Sequence, residues 1–239
     1  MLSMSLRNFL KYSFGLPSQW GIESDIHVDL GCGTNPRNPF RSKKIIGLDV
    51  IAGLDFSEFG VEYTHLVDAT RFPFSSNSLD SISGFDFIEH LSRSYRSDLG
   101  TNEFIHYMNE VSRVLRPGGV ALFVTPAFPG KMAFSDPTHQ NFITRETVNY
   151  FVSSDRNLRA PATEMQYGFN GSLTLLSQFW VYPPQLVFNS RVIHDDQNGE
   201  FNKLLLFKFY LKNLFTSPLS FIKGFTRPSH LVWVLRKPQ

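Results

Sequence analysis

A chain of 239 residues, 42% hydrophobic and 15% aromatic, buries one substantial core and is too short for two equal domains. Its one cysteine, Cys32, excludes an intramolecular disulfide, and no stretch of about 20 residues is apolar without charge or proline, which argues against a membrane span. The formal charge of +2 hides an asymmetry: residues 201–239 hold seven Lys and Arg and no acid, leaving 16 basic and 21 acidic residues before them.

The start, Met1-Leu-Ser-Met-Ser-Leu-Arg-Asn-Phe-Leu10, lacks a secretory pattern, so a cytoplasmic location is expected. Leu6, Phe9 and Leu10 share one face of a helix predicted over Ser5–Phe14 and ended by Gly15-Leu-Pro17, making residues 1–25 an N-terminal helical cap. His27-Val-Asp-Leu-Gly-Cys-Gly-Thr-Asn-Pro-Arg37 then reads as a buried strand running into a glycine turn, with Asp29 near the strand's end. Gly31 and Gly33 lack a Cβ, so a nucleotide-like cofactor can approach bare main chain there, and Thr34 or Asn35 can add side-chain hydrogen bonds. Cys32, between the two glycines, reads as a small residue lining the turn rather than a nucleophile.

Residues 31–43 must join two parallel strands and contain two prolines, so the first crossover helix is expected to be short or irregular. The second strand, Lys44-Ile-Ile-Gly-Leu-Asp49, ends in a carboxylate placed to accept from both hydroxyls of a ribose. A third strand carries Thr64-His-Leu-Val-Asp68-Ala69, and a fourth is Leu79-Asp-Ser-Ile-Ser-Gly-Phe85, with Asp86 at its end. Glu89-His90-Leu91 opens a helix, Thr101–Leu115 forms the clearest helix through Phe104, Ile105, Met108, Val111, Val114 and Leu115, and Pro117-Gly118-Gly119 stops it. Val120–Val124 is the fifth strand.

From Ile26 to Thr125 this ordered series resembles the class I S-adenosylmethionine-dependent methyltransferases, particularly the type 11-like subgroup of small-molecule and glycan enzymes. The resemblance implies a Rossmann-like, doubly wound α/β sheet of seven strands, mostly parallel with an antiparallel last strand and flanked by helices. It implies S-adenosylmethionine as cofactor, with Asp29, Asp49 and Asp68 facing its methionine, ribose and adenine parts. Gly31, Cys32, Gly33, Thr34, Asn35, Val50, Ala69, Phe85 and Asp86 complete the expected contacts. A dinucleotide site would want a third glycine before a helix, where this chain has Pro36, Arg37 and Pro39, so no pyrophosphate cradle is evident.

The next block, Phe128-Pro-Gly-Lys-Met-Ala-Phe-Ser-Asp136-Pro-Thr-His139-Gln-Asn-Phe142-Ile-Thr144, resembles a signature of glycan-pathway methyltransferases. His139 is the candidate general base, since an imidazole suits proton removal near neutral pH; the alternative is that it pins the Asp136-Pro137 turn. His90 is a second candidate, with an architectural role as its alternative. Thr144 is the expected N-cap of a helix through Phe151. No metal site is expected: His27, His65, His106, His194 and His230 show no ligand spacing, and Asp195-Asp196 reads as a solvated turn.

Leu173–Val181 and Ser229–Leu235 are expected as the antiparallel sixth and seventh strands. Between them, Phe201–Phe215 and the residues to 225 mix Phe and Leu with lysines. This segment reads either as an interfacial helix on anionic lipid, peripheral to the inner face of the membrane, or as a lid or dimer helix; nucleic acid is the weakest reading. The expected division is 1–25 cap, 26–125 cofactor core and 126–239 substrate-specificity region. The expected chemistry is O-methylation of a small molecule or sugar, with lipid or quinone acceptors also open and RNA less so, and a homodimer is allowed. The alternative from another class is a non-catalytic binding or scaffold protein on the same fold.

Overall fold

The computed structural model describes residues 23–66, 71–153, 160–181 and 229–239. The expected N-terminal helix, Asp68 and Ala69, Asp195-Asp196 and the basic aromatic segment 201–225 lie outside the described residues. Seven strands form one sheet in the order β3-β2-β1-β4-β7-β9-β8. They are β1 (Ile26–Leu30), β2 (Lys44–Asp49), β3 (Val61–His65), β4 (Leu79–Phe85), β7 (Leu115–Pro126), β8 (Thr174–Val181) and β9 (His230–Arg236). The pairs β1·β2, β1·β4, β2·β3 and β4·β7 are parallel, while β9 runs antiparallel to both β7 and β8. The sheet therefore has the expected seven strands, but β9 alone reverses direction.

Chain order explains the burial. The central strands β1, β4 and β7 have neighbours on both sides and layers above and below, so each reads as a nearly continuous buried run. At the junction of β4 and β7 the register slips between Leu79 and Ser81, where Pro117-Gly118-Gly119 bulges out of the ladder. Proline lacks the N–H that a regular central ladder requires.

Residues 31–43 contain no helix, in keeping with the two prolines there. Glu89 and His90 sit in a single 3-10 turn, Ile88–His90, not at the head of a longer helix. Leu91 is extended and the polar run that follows has no apolar stripe to bury, so the chain enters a small hairpin of β5 (Tyr95–Arg96) and β6 (Thr101–Asn102). Helix α1 (Glu103–Val114) follows at once, with the Asn102 side chain accepting from Ile105 N at 2.9 Å as N-cap. It buries Phe104, Tyr107, Met108, Val111 and Val114 against the sheet. On the same helix, Arg113 Nη2 lies 2.6 Å from Glu110 Oε2, and the pair ties down the main chain of Phe72 and Phe74.

Beyond β7 the described helices are short: α2 (Met132–Ser135) and α3 (Pro161–Glu164). The expected helix to Phe151 is a 3-10 turn, Thr147–Tyr150, in which only Val148 is buried. Thr144 Oγ1 accepts from Glu146 N at 3.2 Å, a local cap on that turn. Among the described residues no helix is long and apolar enough to cross a membrane.

Candidate active site at the carboxyl edge of the sheet

The glycine turn leaves β1 by folding over β2, with Gly31 N donating to Leu48 O at 2.8 Å. Gly31 has φ +63° and the ring of Phe87 stands where a Cβ would lie, 2.4 Å from its Cδ2. Gly33 also has a left-handed φ, +54°, but nothing stands within 4 Å of a Cβ built on it. One glycine is required by packing and the other opens the main chain. Cys32 turns inward, buried with Phe56 and Val61, and its thiol is pushed far above the usual range by burial and by the charges of Asp29 and Asp49. Its only offering to a ligand is main chain.

Asp49, half-buried at the end of β2, accepts from Gly33 N at 2.8 Å through Oδ2 and from Ile51 N at 3.1 Å through Oδ1. Each carboxylate oxygen retains a further lone pair for an incoming hydroxyl. Tyr63 Oη donates to the carbonyls of Asp49 and Ile51, and His65 Nε2 bonds Val50 O at 3.1 Å, so the segment after β2 is held in place. Val50 is 63% exposed and Ile51 45%, an apolar pair beside the acid. Thr34 is exposed, while Asn35 Oδ1 is buried with no hydrogen-bond partner.

Asp29 lies beneath this surface. It is 2% exposed, with Oδ1 accepting from Ser83 Oγ at 2.5 Å and Oδ2 from Arg37 N at 2.9 Å. Both oxygens are engaged in holding the loop. Burial raises its carboxyl to about 7 against the opposing pull of Ser83 and Arg37. Behind it, His27 bridges Ser81 and Ser83 at 2.8 Å and 3.0 Å, and burial lowers this imidazole to about 3. The Arg37 guanidinium lies over the Phe85 ring, 4.2 Å from its centre.

At the end of β4, Asp86 has a left-handed φ of +50°, rare for a residue with a Cβ, and Asp86 N donates to Val124 O at 2.8 Å. Its Oδ1 lies 3.0 Å from Nε2 of His230, the first residue of β9, whose Nδ1 is 2.8 Å from Ser229 Oγ. Sequence spacing does not reveal this contact between Asp86 and His230, because the order β4-β7-β9 in the sheet is what brings the partners together.

The block after β7 docks on the Ile88–His90 turn. Gln140 N and Asn141 N donate to Glu89 O at 2.7 and 2.9 Å, and Asn141 Nδ2 donates to the carbonyls of Ile88 and Leu91 at 3.0 and 2.6 Å. This places the His90 and His139 rings 4.8 Å apart, edge to face. Between them and the sheet lies Glu89, 0% exposed, with Oε2 accepting from Thr125 Oγ1 at 2.9 Å and Oε1 buried without a partner. Burial pushes this carboxyl up to about 8, with the charges of Asp86 and Asp136 adding to it, and burial lowers the His90 imidazole. His139 Nδ1 bonds Ala133 O at 3.2 Å. The same block exposes the rings of Phe128, Phe134 and Phe142, the first edge-on to the second and the last two stacked at 5.1 Å.

Residues 28–123 match the model of a methyltransferase domain family. No curated protein matches the chain. Among solved structures, an S-adenosylmethionine-dependent methyltransferase from Archaeoglobus fulgidus is similar at 15% identity over 97% of this chain and 91% of its own, with a TM-score of 0.49. The N-methyltransferase NodS from Bradyrhizobium japonicum, in complex with S-adenosyl-L-homocysteine, is similar at 10% identity over 98% and 85%, TM-score 0.49. An S-adenosylmethionine-dependent methyltransferase from Mesorhizobium loti is similar at 15% over 97% and 95%, TM-score 0.40.

Proposed function

We propose that this chain, whose residues 28–123 match a methyltransferase domain, is a class I S-adenosylmethionine-dependent methyltransferase that methylates an oxygen of a small molecule or sugar in a surface-glycan pathway. The observation that carries this reading is the gathering of Glu89, His90 and His139 at the carboxyl ends of β4 and β7, on the sheet edge that also holds Asp49.

The cofactor supplies an electrophilic methyl carbon on a sulfonium, so the protein's work is to align an acceptor and dispose of its proton. In this reading the open main chain at Gly33 and the carboxylate of Asp49 hold the cofactor, the latter through the ribose hydroxyls. The unpartnered Asn35 Oδ1 takes a donor from the cofactor's amino group, and exposed Val50 and Ile51 offer an apolar surface to the adenine. Asp68 and Ala69, outside the described residues, keep their proposed place at the adenine. Asp29 and Cys32 act from below, by setting the loop.

A hydroxyl acceptor must lose a proton as the new bond forms, and the histidine cluster handles it, with His139 the primary candidate base. The Ala133 carbonyl can only accept, so His139 Nδ1 carries a hydrogen and a neutral ring presents its lone pair at Nε2. Phe128, Phe134 and Phe142 support a sugar acceptor, because flat exposed rings suit the apolar face of a pyranose.

Calorimetric titration of the purified chain with S-adenosylhomocysteine, with NAD for comparison, tests the cofactor half; transfer of labelled methyl to nucleotide- and lipid-linked sugars tests the acceptor half. Binding of the first ligand alone, followed by an alkali-stable methyl ether on a sugar, is the expected result. Failure to bind restores the scaffold reading, and transfer only to nitrogen removes the O-methylation assignment.

A further inference from the structure

We propose that Glu89, His90 and His139 form a binding site for one divalent transition-metal ion at the carboxyl ends of β4 and β7. One ligand-capable atom from each of the three lies within 4.8 Å of the others. Tetrahedral ligands about 2.0–2.2 Å from zinc stand roughly 3.3–3.6 Å apart, so small side-chain movements close the set around an ion.

Three further observations point to a cation. First, Glu89 is wholly buried yet Oε1 has no hydrogen-bond partner, an arrangement that leaves a carboxylate oxygen unsatisfied unless something outside the chain meets it. Second, both imidazoles are oriented by their far nitrogens. His139 Nδ1 donates to the Ala133 carbonyl. The Thr138 hydroxyl gives its hydrogen to Asp136 Oδ1 at 2.6 Å, so its oxygen receives His90 Nδ1–H at 3.0 Å. Each ring is thereby left with its lone pair at Nε2, the outer-shell arrangement of metal-bound histidines. Third, the Ile88–His90 turn is clamped by the main chain of Gln140 and the main chain and side chain of Asn141, so the donors from two distant segments share one rigid unit.

Two imidazoles and one carboxylate suit Zn²⁺, Mn²⁺ or Co²⁺ better than Mg²⁺ or Ca²⁺, which prefer oxygen donors. Three protein ligands also leave coordination positions open, the pattern of a reactive rather than a structural site. That the open position receives the acceptor hydroxyl rests on the proposed O-methylation; the existence of the site does not. With an ion bound, the Nε2 lone pairs of His90 and His139 would be engaged as ligands, so the ion would make the acceptor hydroxyl acidic and its proton would pass to solvent water at the open edge instead of to His139.

The test is titration of untagged, chelator-treated full-length protein with Co²⁺, followed by visible absorption, with Zn²⁺ competition and Mg²⁺ for comparison. One equivalent of Co²⁺ with ligand-field bands, displaced by Zn²⁺ and not by equal Mg²⁺, is expected. His90→Asn and His139→Asn should each weaken binding at least about tenfold, and Thr138→Ala about 10–100-fold, with wild-type circular dichroism and urea midpoint. A folded wild type that takes up no Co²⁺, or equal affinity in all three variants, overturns the site. S-adenosylhomocysteine titration of the same sample separates the two ideas: loss of Co²⁺ binding alone sinks the metal site, and loss of cofactor binding alone sinks the methyl-transfer reading.

Discussion

His230 Nε2 stands 3.0 Å from Asp86 Oδ1, so the first residue of the antiparallel strand closes on the strained residue that follows β4. The imidazole is buried and bonded at its other nitrogen to Ser229, which leaves the contact little freedom. His230→Ala should therefore lower stability by about 0.5–3 kcal/mol in urea unfolding, because it empties the space of a buried ring and removes both of its hydrogen bonds. An unchanged midpoint would show that Asp86 holds its left-handed conformation without this partner.

Asp49 accepts from Gly33 and Ile51 while facing the exposed pair Val50 and Ile51. Asp49→Ala should weaken S-adenosylhomocysteine binding by about 1.5–3 kcal/mol, the range for hydrogen bonds to a charged group. Wild-type affinity in calorimetry would show that this carboxylate is not the ribose contact.

His139→Ala should reduce turnover at least about tenfold while cofactor affinity stays near wild type, since the ring lies in the block beyond β7 and not in the glycine turn. Full turnover in single-cycle kinetics would reduce His139 to a turn-holding residue.

The buried chain Ser81–His27–Ser83–Asp29 makes a pH prediction with opposed signs. His27, lowered to about 3, favours the folded state fully above pH 6.5 and loses that contribution as pH falls toward 3. Asp29, raised to about 7, favours the folded state fully below pH 3.8 and loses its contribution as pH rises toward 7. Between about pH 4 and 6.5 the two slopes cancel. Asp29→Asn leaves His27 alone, so the variant should lose up to about 1.4 kcal/mol more than wild type for each unit of acidification across that window. Parallel urea midpoints for the two proteins from pH 6.5 to 4 would refute the assignment.

Gly31 has a positive φ and the Phe87 ring against its Cα, so Gly31→Ala should destabilise by about 1–3 kcal/mol. Gly33→Ala meets only the backbone strain, since no atom lies near its Cβ position, and should disturb stability less but cofactor binding more. A reversed order in thermal denaturation and S-adenosylhomocysteine titration would show that the open side of the turn has been misassigned.

What the chain order of residues determined by itself is local. The apolar runs of β1, β2 and β4, the stripe of α1, the glycine turn and the strand-end placement of Asp49 all follow from patterns a few residues long, because side-chain direction repeats every two residues in a strand and every 3.6 in a helix. The two prolines of residues 31–43 pointed to a short or irregular crossover helix, and the structure goes further, with no helix there. Tertiary structure alone decided which distant residues meet. His139 reaches Glu89 and His90 only because the block after β7 hydrogen-bonds to the turn after β4, and His230 reaches Asp86 only because β9 inserts between β7 and β8. The 3-10 turn at Ile88–His90 belongs to the same class, since the clamp from Gln140 and Asn141 lies about fifty residues away. Asp29 shows the limit from the other side: its place beside the glycine turn was visible in the sequence, but only the neighbouring strand's Ser83 and the returning Arg37 main chain turned its carboxyl inward, where burial and hydrogen bonding engage both oxygens. Such pairings depend on strand order and register, which local periodicity does not encode.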